Sequence, residues 1–160
     1  MAIYMQYGDK IKGDVTTKEF KDWIHLHSMQ FGVGRGIHTP AGSAQNRQGS
    51  HASVSEITVT KQLDKSTIGV LEDLLGGDLH TKVVICMTHT DKGNAKYLEF
   101  ELEKTGISGY SISTGGERPT ESISLNFVKF KVTDHEASHD GKTHKPKHTI
   151  YDIGLMKLNP

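Results

Sequence analysis

SVSEITVTKQLDKSTIGVLEDLLGG, residues 53–77, decides the fold, because strand chemistry passes directly into helix chemistry within it. Val54, Glu56, Thr58 and Thr60 alternate with Ser55, Ile57, Val59 and Lys61, and the β-branched content favours a pleated strand with Ile57 and Val59 turned inward. Asp64 or Ser66 is then placed to cap a helix in which Ile68, Leu71 and Leu75 recur at i, i+3 and i+7, and Gly76-Gly77 supplies a left-handed stop. A helix this short is marginal alone, so the spacing predicts that its apolar stripe lies against a sheet.

Upstream, Ile3, Met5 and Tyr7 alternate with Tyr4 and Gln6, which reads as a first strand followed by turns at Gly8-Asp9 and Lys12-Gly13-Asp14. Residues 23–33 read as a second strand, with Met29, Phe31 and Val33 on one face and Ser28 and Gln30 on the other. Residues 34–50 turn to Gly, Ser, Asn, Gln, Arg and His around Pro40, which is poor core material. A structureless run of about fifteen residues inside a compact domain signals a loop that carries function or is ordered by a partner.

Downstream, residues 80–89, HTKVVICMTH, read as a buried strand, and Asp91-Lys92-Gly93-Asn94 reads as a hairpin turn. The next strand sets Tyr97, Glu99, Glu101 and Glu103 against Leu98, Phe100 and Leu102. Residues 107–114 and 121–133 read as further strands, the latter with Ile123, Leu125 and Phe127 on one side, separated by the breaker GGERP. Residues 134–148 are polar and residues 150–158 supply a closing strand. About seven or eight short strands with one helix predict an all-β fold: a small β-barrel of two packed antiparallel sheets with one short flanking α-helix. Residues 1–160 read as a single domain.

Lys plus Arg equals Asp plus Glu at 19 each, so the summed field attracts neither nucleic acid nor anionic lipid, although a local patch is compatible with it. The first ten residues lack a basic start followed by an unbroken apolar run, so no signal peptide is expected, and no later segment is apolar enough to predict membrane insertion. With 34% hydrophobic residues the composition suits a soluble globular protein. Cys86 is the only cysteine, which excludes an internal disulfide and a thiolate zinc cage; within VVICM it reads as a small buried hydrophobe.

Gly32, Gly34 and Gly36 lack the GxGxxG spacing and do not sit between a strand and a helix start, and TGGERP has no Lys-Ser or Lys-Thr after its glycines, so neither predicts a phosphate site. His135, His139, His144 and His148 lie near Asp134, Glu136 and Asp140, yet without HExxH or a cysteine they read as loop histidines; His25 and His27, two apart, permit chelation but equally suit a sheet surface. No GxSxG elbow is present, and Glu72-Asp73 and Glu99, Glu101 and Glu103 read as solvated faces. No catalytic constellation, metal site or cofactor is predicted.

MAIYMQYGDKIKGDV, WIHLHSMQFGVGRGI, SVSEITVTKQLDKST and ISGYSISTGGERPTESISLNFVKF together resemble the haemolysin-coregulated protein (Hcp) family, the tube subunit of bacterial type VI secretion. The blocks EITVTKxxDK, GYSISTGG and ESISLNF occur in the family's order, and the resemblance covers nearly the whole chain. Phe31 stands where many relatives have tryptophan before GVGRG, and Ser66-Thr67-Ile68 lacks the proline often found at that helix start.

The resemblance implies a hexameric ring, rings stacked into a hollow tube, a contractile sheath that expels it, and small effectors held within the ring. It also implies assembly in the bacterial cytoplasm and release through the secretion system, with sheath, spike and effector proteins as partners. On that footing Arg35, His38, Asn46 and Arg47 are expected at a ring interface or stacking loop, and Ser28 and Gln30 facing the lumen. The competing readings are an unstacked ring that chaperones effectors and a histidine-dependent metal module or enzyme.

Overall fold

A computed structural model of the chain describes residues 1–42, 45, 47–90, 93–135 and 145–160. The strands are β1 (Ala2–Tyr7), β2 (Ile24–Leu26), β3 (Ser28–Gln30), β4 (Val33–His38), β5 (Gln48–Val54), β6 (Ile57–Gln62), β7 (Thr81–His89), β8 (Ala95–Ser113), β9 (Thr120–Asn126), β10 (Lys129–Asp134), β11 (Lys147–Asp152) and β12 (Lys157–Leu158), with a single 3-10 turn (Lys18–Phe20) and, among the described residues, one α-helix, α1 (Thr67–Gly76). One antiparallel sheet runs β12-β11-β10-β8-β7-β1-β2, and a second runs β3-β6-β9-β8. The all-β expectation holds: Met5, Ile24, Ile57, Val59, Val83, Ile85, Leu102, Ile123 and Leu125 are fully buried in one core between the sheets.

Strand β8 belongs to both sheets. Its first part pairs with β7 and β10, Lys104 takes φ 51°, and the residues from Gly106 to Ser113 pair with β9. What reads in sequence as two strands is therefore one strand bent across a corner. The reverse holds for residues 23–33 and 121–133. The first divides at His27, where β2 leaves β1 and β3 joins β6; the second divides at Phe127-Val128 between β9 and β10. Because the chain changes sheets at His27, no ladder among the described residues joins β2 to β6, and the expected barrel wraps without hydrogen-bonded closure.

Residues 34–50 are not a structureless excursion. β4 and β5 form a two-stranded antiparallel arm on a separate sheet, with Val33 opposite Val54 and His38 opposite Gln48. Every residue of β4 is exposed, so the arm needs no apolar alternation and shows none. Of the turn expected at Asp91-Lys92-Gly93-Asn94, Asp91 and Lys92 lie outside the described residues, Gly93 and Asn94 take the left-handed φ values 63° and 60°, and β7 and β8 pair as hairpin strands.

The helix buries Thr67 and Val70 and half-buries Leu74, whereas Ile68 and Leu75 are 64% and 78% exposed. The buried stripe has the expected spacing but a different phase, because Thr67 is drawn inward by polar partners described below. Gly77 ends the helix at φ −76°, ψ 168°, not in the left-handed region; a Cβ there would lie 2.3 Å from Asp73 Oδ1, so close approach explains the glycine. Gly13 has the same kind of reason, since a Cβ would meet the Trp23 carbonyl oxygen at 2.2 Å. Ser66 makes no side-chain cap to the helix; Asp64 instead accepts the Ser66 amide at 2.9 Å and the Ser66 hydroxyl.

Candidate functional site

The residues that carry the sequence motif build an interior junction. Alternation along β6 places Lys61 on the same inward face as Ile57 and Val59, and alternation along β9 does the same for Glu121; both side chains are 0% exposed. Lys61 Nζ donates to Glu121 Oε2 at 2.5 Å and to Asp64 Oδ1 at 2.8 Å. The Thr67 hydroxyl donates to Glu121 Oε2 at 2.9 Å and the Tyr110 hydroxyl to Oε1 at 2.6 Å. Burial, together with the bond to Glu121 and its charge, pushes the Tyr110 phenol up to about 12. This junction ties β6, β8, β9 and the start of α1, so it positions the sheet instead of offering groups to a substrate. Spacing alone gave no hint of it, since Lys61 and Glu121 are 60 residues apart.

Outward from the same strands lies a surface of different chemistry. Ser28, Thr60, Ser122 and Ser111 stand in register across the second sheet, as do Gln30, Thr58 and Ser124 in the next row and Gln62, Thr120 and Ser113 at the far end. Ser28 and Gln30 are exposed, and the Ser28 and Thr60 hydroxyls are 2.5 Å apart. The face is made of hydroxyls and amides without a formal charge. Glu56 at its margin accepts from the Ser108 hydroxyl at 2.7 Å and the Asn126 amide at 3.1 Å. Such groups donate and accept in any direction yet exert no long-range field.

The first sheet's outward face is the opposite case. Glu101 lies between Lys82 and Lys131 at 3.4 and 3.5 Å, Glu103 faces Lys129 at 4.0 Å, and Glu99 pairs with Lys96 at 2.7 Å. The expected solvated face is thus a cross-strand ion ladder. The Cys86 thiol donates weakly to Glu99 at 3.4 Å, and burial pushes it up to about 12, which keeps it in the unreactive form.

The arm brings together three of the four expected interface residues; Asn46 lies outside the described residues. Arg35 folds back across its own ribbon, its Nε donating to the Ser50 carbonyl at 2.8 Å, while His38 and Arg47 are exposed near the arm's outer part. The His25 and His27 rings are 5.7 Å apart, and burial followed by the neighbouring His27 lowers the His25 pKa. His139 and His144 lie outside the described residues, and among the described residues no group of three or more His, Cys, Asp or Glu could hold a metal ion.

The chain is thus an all-β, two-sheet protein with a polar uncharged face, a charged face and a projecting arm. The sequence matches the family described as type VI secretion system effector, Hcp, over residues 4–133, and the chain belongs to that family. The fold is similar to a structure described as that of a type six secretion system protein, with TM-score 0.87 and 18% identity over 99% of both chains. It is also similar to Hcp1 from Salmonella typhimurium, with TM-score 0.78 and 17% identity over 98% of this chain and 97% of that one. A type VI secretion system effector from Yersinia pestis gives TM-score 0.73 and 19% identity over 94% and 99%. No curated protein matches the sequence.

Proposed function

We propose that this chain is the structural subunit of the type VI inner tube: copies close into a homo-hexameric ring, rings stack, and the sheath expels the stack with effectors held in its lumen. The observation that carries this reading is the uncharged hydroxyl and amide face built on β3, β6, β9 and the second part of β8. A lumen that passes varied cargo needs polar walls that wet easily and hold no guest by charge, and Ser28 and Gln30 lie on that wall.

A ring also needs two different complementary surfaces on each subunit. Exposed apolar side chains include one group at and just after α1, Ile68, Leu75 and Leu79, another at the C-terminal turn, Leu155, Met156 and Leu158, and Val33 and Ile37 on the arm. Burying such groups between neighbours offsets the ordering cost of closure. The arm, with Arg35, His38, Asn46 and Arg47, serves as a ring-interface or stacking element. The role requires no catalytic residue, cofactor, nucleic acid or membrane insertion. The protein assembles in the bacterial cytoplasm as one domain and leaves through the system itself, meeting sheath, spike and effector proteins on the way.

Sedimentation with electron microscopy at high protein concentration tests this: a ring of about sixfold the protomer mass is expected. Monomers alone would overturn the reading. A Gln30→Trp substitution, which fills the lumen wall, is expected to leave the ring intact and release any co-purifying effector.

A further inference from the structure

From residue 24 to residue 55 the chain contains no Asp or Glu, yet it contains Arg35 and Arg47 together with His38 and His51. The whole chain is neutral, so the compensating negative charge must lie elsewhere. A concentration of it borders a groove of about 470 Å³ where β1 ends, β7 begins and α1 terminates, lined by Asp9, Asp73 and Asp78 with Lys10 and His80. The Tyr7 hydroxyl donates to Asp73 Oδ2 at 2.6 Å and fixes that carboxylate in the wall. Asp9 and Asp78 are exposed at the rim.

Strand register sets where these two regions stand. β2 carries the chain from the Tyr7 end of β1 toward its Ala2 end, with Met5 opposite Ile24 and Ile3 opposite Leu26. His27, β3 and then the arm follow from that far end, whereas the groove is built on Tyr7, Gly8 and Thr81 at the near end. A cationic projection at one end and an acidic recess at the other suit a contact between copies, not within one.

Resting on the tube reading, we infer that the groove of Asp9, Asp73 and Asp78 receives the cationic arm, Arg47 foremost, of the corresponding copy in the next ring. The contact is heterologous and runs head to tail, so it propagates along an axis without closing in pairs. Complementary charge sets the register of stacking and speeds encounter, and salt screens it.

Disulfide trapping in the full chain tests the contact, since Cys86, the sole native thiol, is buried. An Arg47→Cys/Asp78→Cys protein oxidised at low salt is expected to give a ladder extending beyond the hexamer that persists without reductant and collapses with dithiothreitol, while either single variant stops at dimers. A ladder ending at the hexamer would move the contact into the ring and overturn the stacking assignment. No ladder, from a protein that still forms stacks, would overturn the contact and leave the tube reading standing. In parallel, Asp78→Lys is expected to weaken stacking about tenfold, and Arg47→Glu/Asp78→Lys to restore it. Failure of the double exchange to restore what the single change loses counts against the inference. If the unmodified protein forms no rings, the tube reading falls and this inference falls with it.

Discussion

The junction around Lys61 and the β4–β5 arm are both built around positive charge, and they treat it in opposite ways. Lys61 is sealed from water, with Glu121, Asp64 and Thr67 all supplied by its own chain. Arg47 and His38 are exposed on a ribbon that, among the described residues, pairs with no other strand. The first arrangement is complete in one copy, so its residues serve folding. The second leaves charge and backbone edges outside the body, which on the proposed reading frees its residues for association. The difference explains how Lys61, Asp64 and Glu121, all within the resemblance blocks, can be structural residues.

The hardest way to break the junction is to remove one charge and leave the other. Lys61→Ala is expected to cost about 3–5 kcal/mol, because Glu121 is left buried without a cation, and Glu121→Ala to cost less, because Asp64 still compensates Lys61 at 2.8 Å. Chemical denaturation followed by far-ultraviolet circular dichroism reads this directly. A loss below about 1 kcal/mol would mean that water reaches the junction.

Removing the arm should have the contrary effect. Replacing residues 34–52 by a short Gly-Ser connector is expected to change the protomer's unfolding free energy by no more than about 0.5 kcal/mol, as for surface changes that touch no core. The same deletion is expected to abolish stacking in the microscope. Hydrogen exchange sharpens the point: β4 and β5 amides should exchange far faster than those of β6 and β9 in the protomer, and slow down on assembly.

How far the sequence discloses this contrast follows from what each region needs. β6 was legible because one face is buried and the other wet, which imposes alternation on Ile57, Val59 and Lys61. The helix was legible as a helix, but its buried face was not, since Thr67 turns inward for Glu121 and carries Val70 and Leu74 with it. The arm was legible only as material unfit for a core; β4 is exposed along its length and β5 is half-buried only at Ala52 and Val54, so the ribbon imposes little periodicity and its strands left no trace. The sheet changes at His27 and along β8 depend on partners distant in sequence, which local pattern does not encode. The uncharged face was glimpsed at Ser28 and Gln30, but only registration with β6 and β9 makes it a surface.

A smaller effect separates the closed body from the open arm by chemistry. Cys86 is fully buried beside Tyr4 and Phe20, and its thiol is pushed up to about 12 by burial. Iodoacetamide at neutral pH is expected to leave it unmodified for as long as the body stays folded. A cysteine placed at Arg47 is expected to react at the rate of a free thiol until stacking protects it. Prompt labelling of Cys86 in the folded protein would show that the body opens where it is taken to be closed.

The smallest effect concerns the ion ladder on the first sheet. Burial raises the Glu99 pKa, but the hydrogen bond and charge of Lys96 outweigh it, and the net shift is below the ordinary 4.5. A carboxylate held lower when folded than when unfolded binds more protons in the unfolded chain as the medium acidifies. Its stabilisation is therefore complete above pH 4.5 and declines as the pH falls through that value toward the lower folded pKa. Lys96 is 40% exposed, so solvent screening holds the contribution below about 1 kcal/mol. Glu99→Gln should accordingly lower stability slightly at neutral pH and shrink that difference below pH 4.5, read by melting temperature across an acid series. A difference that instead widens on acidification would mean that Glu99 is stabilised in its protonated form. The ladder would then belong with the sealed junction, and not with the open surfaces.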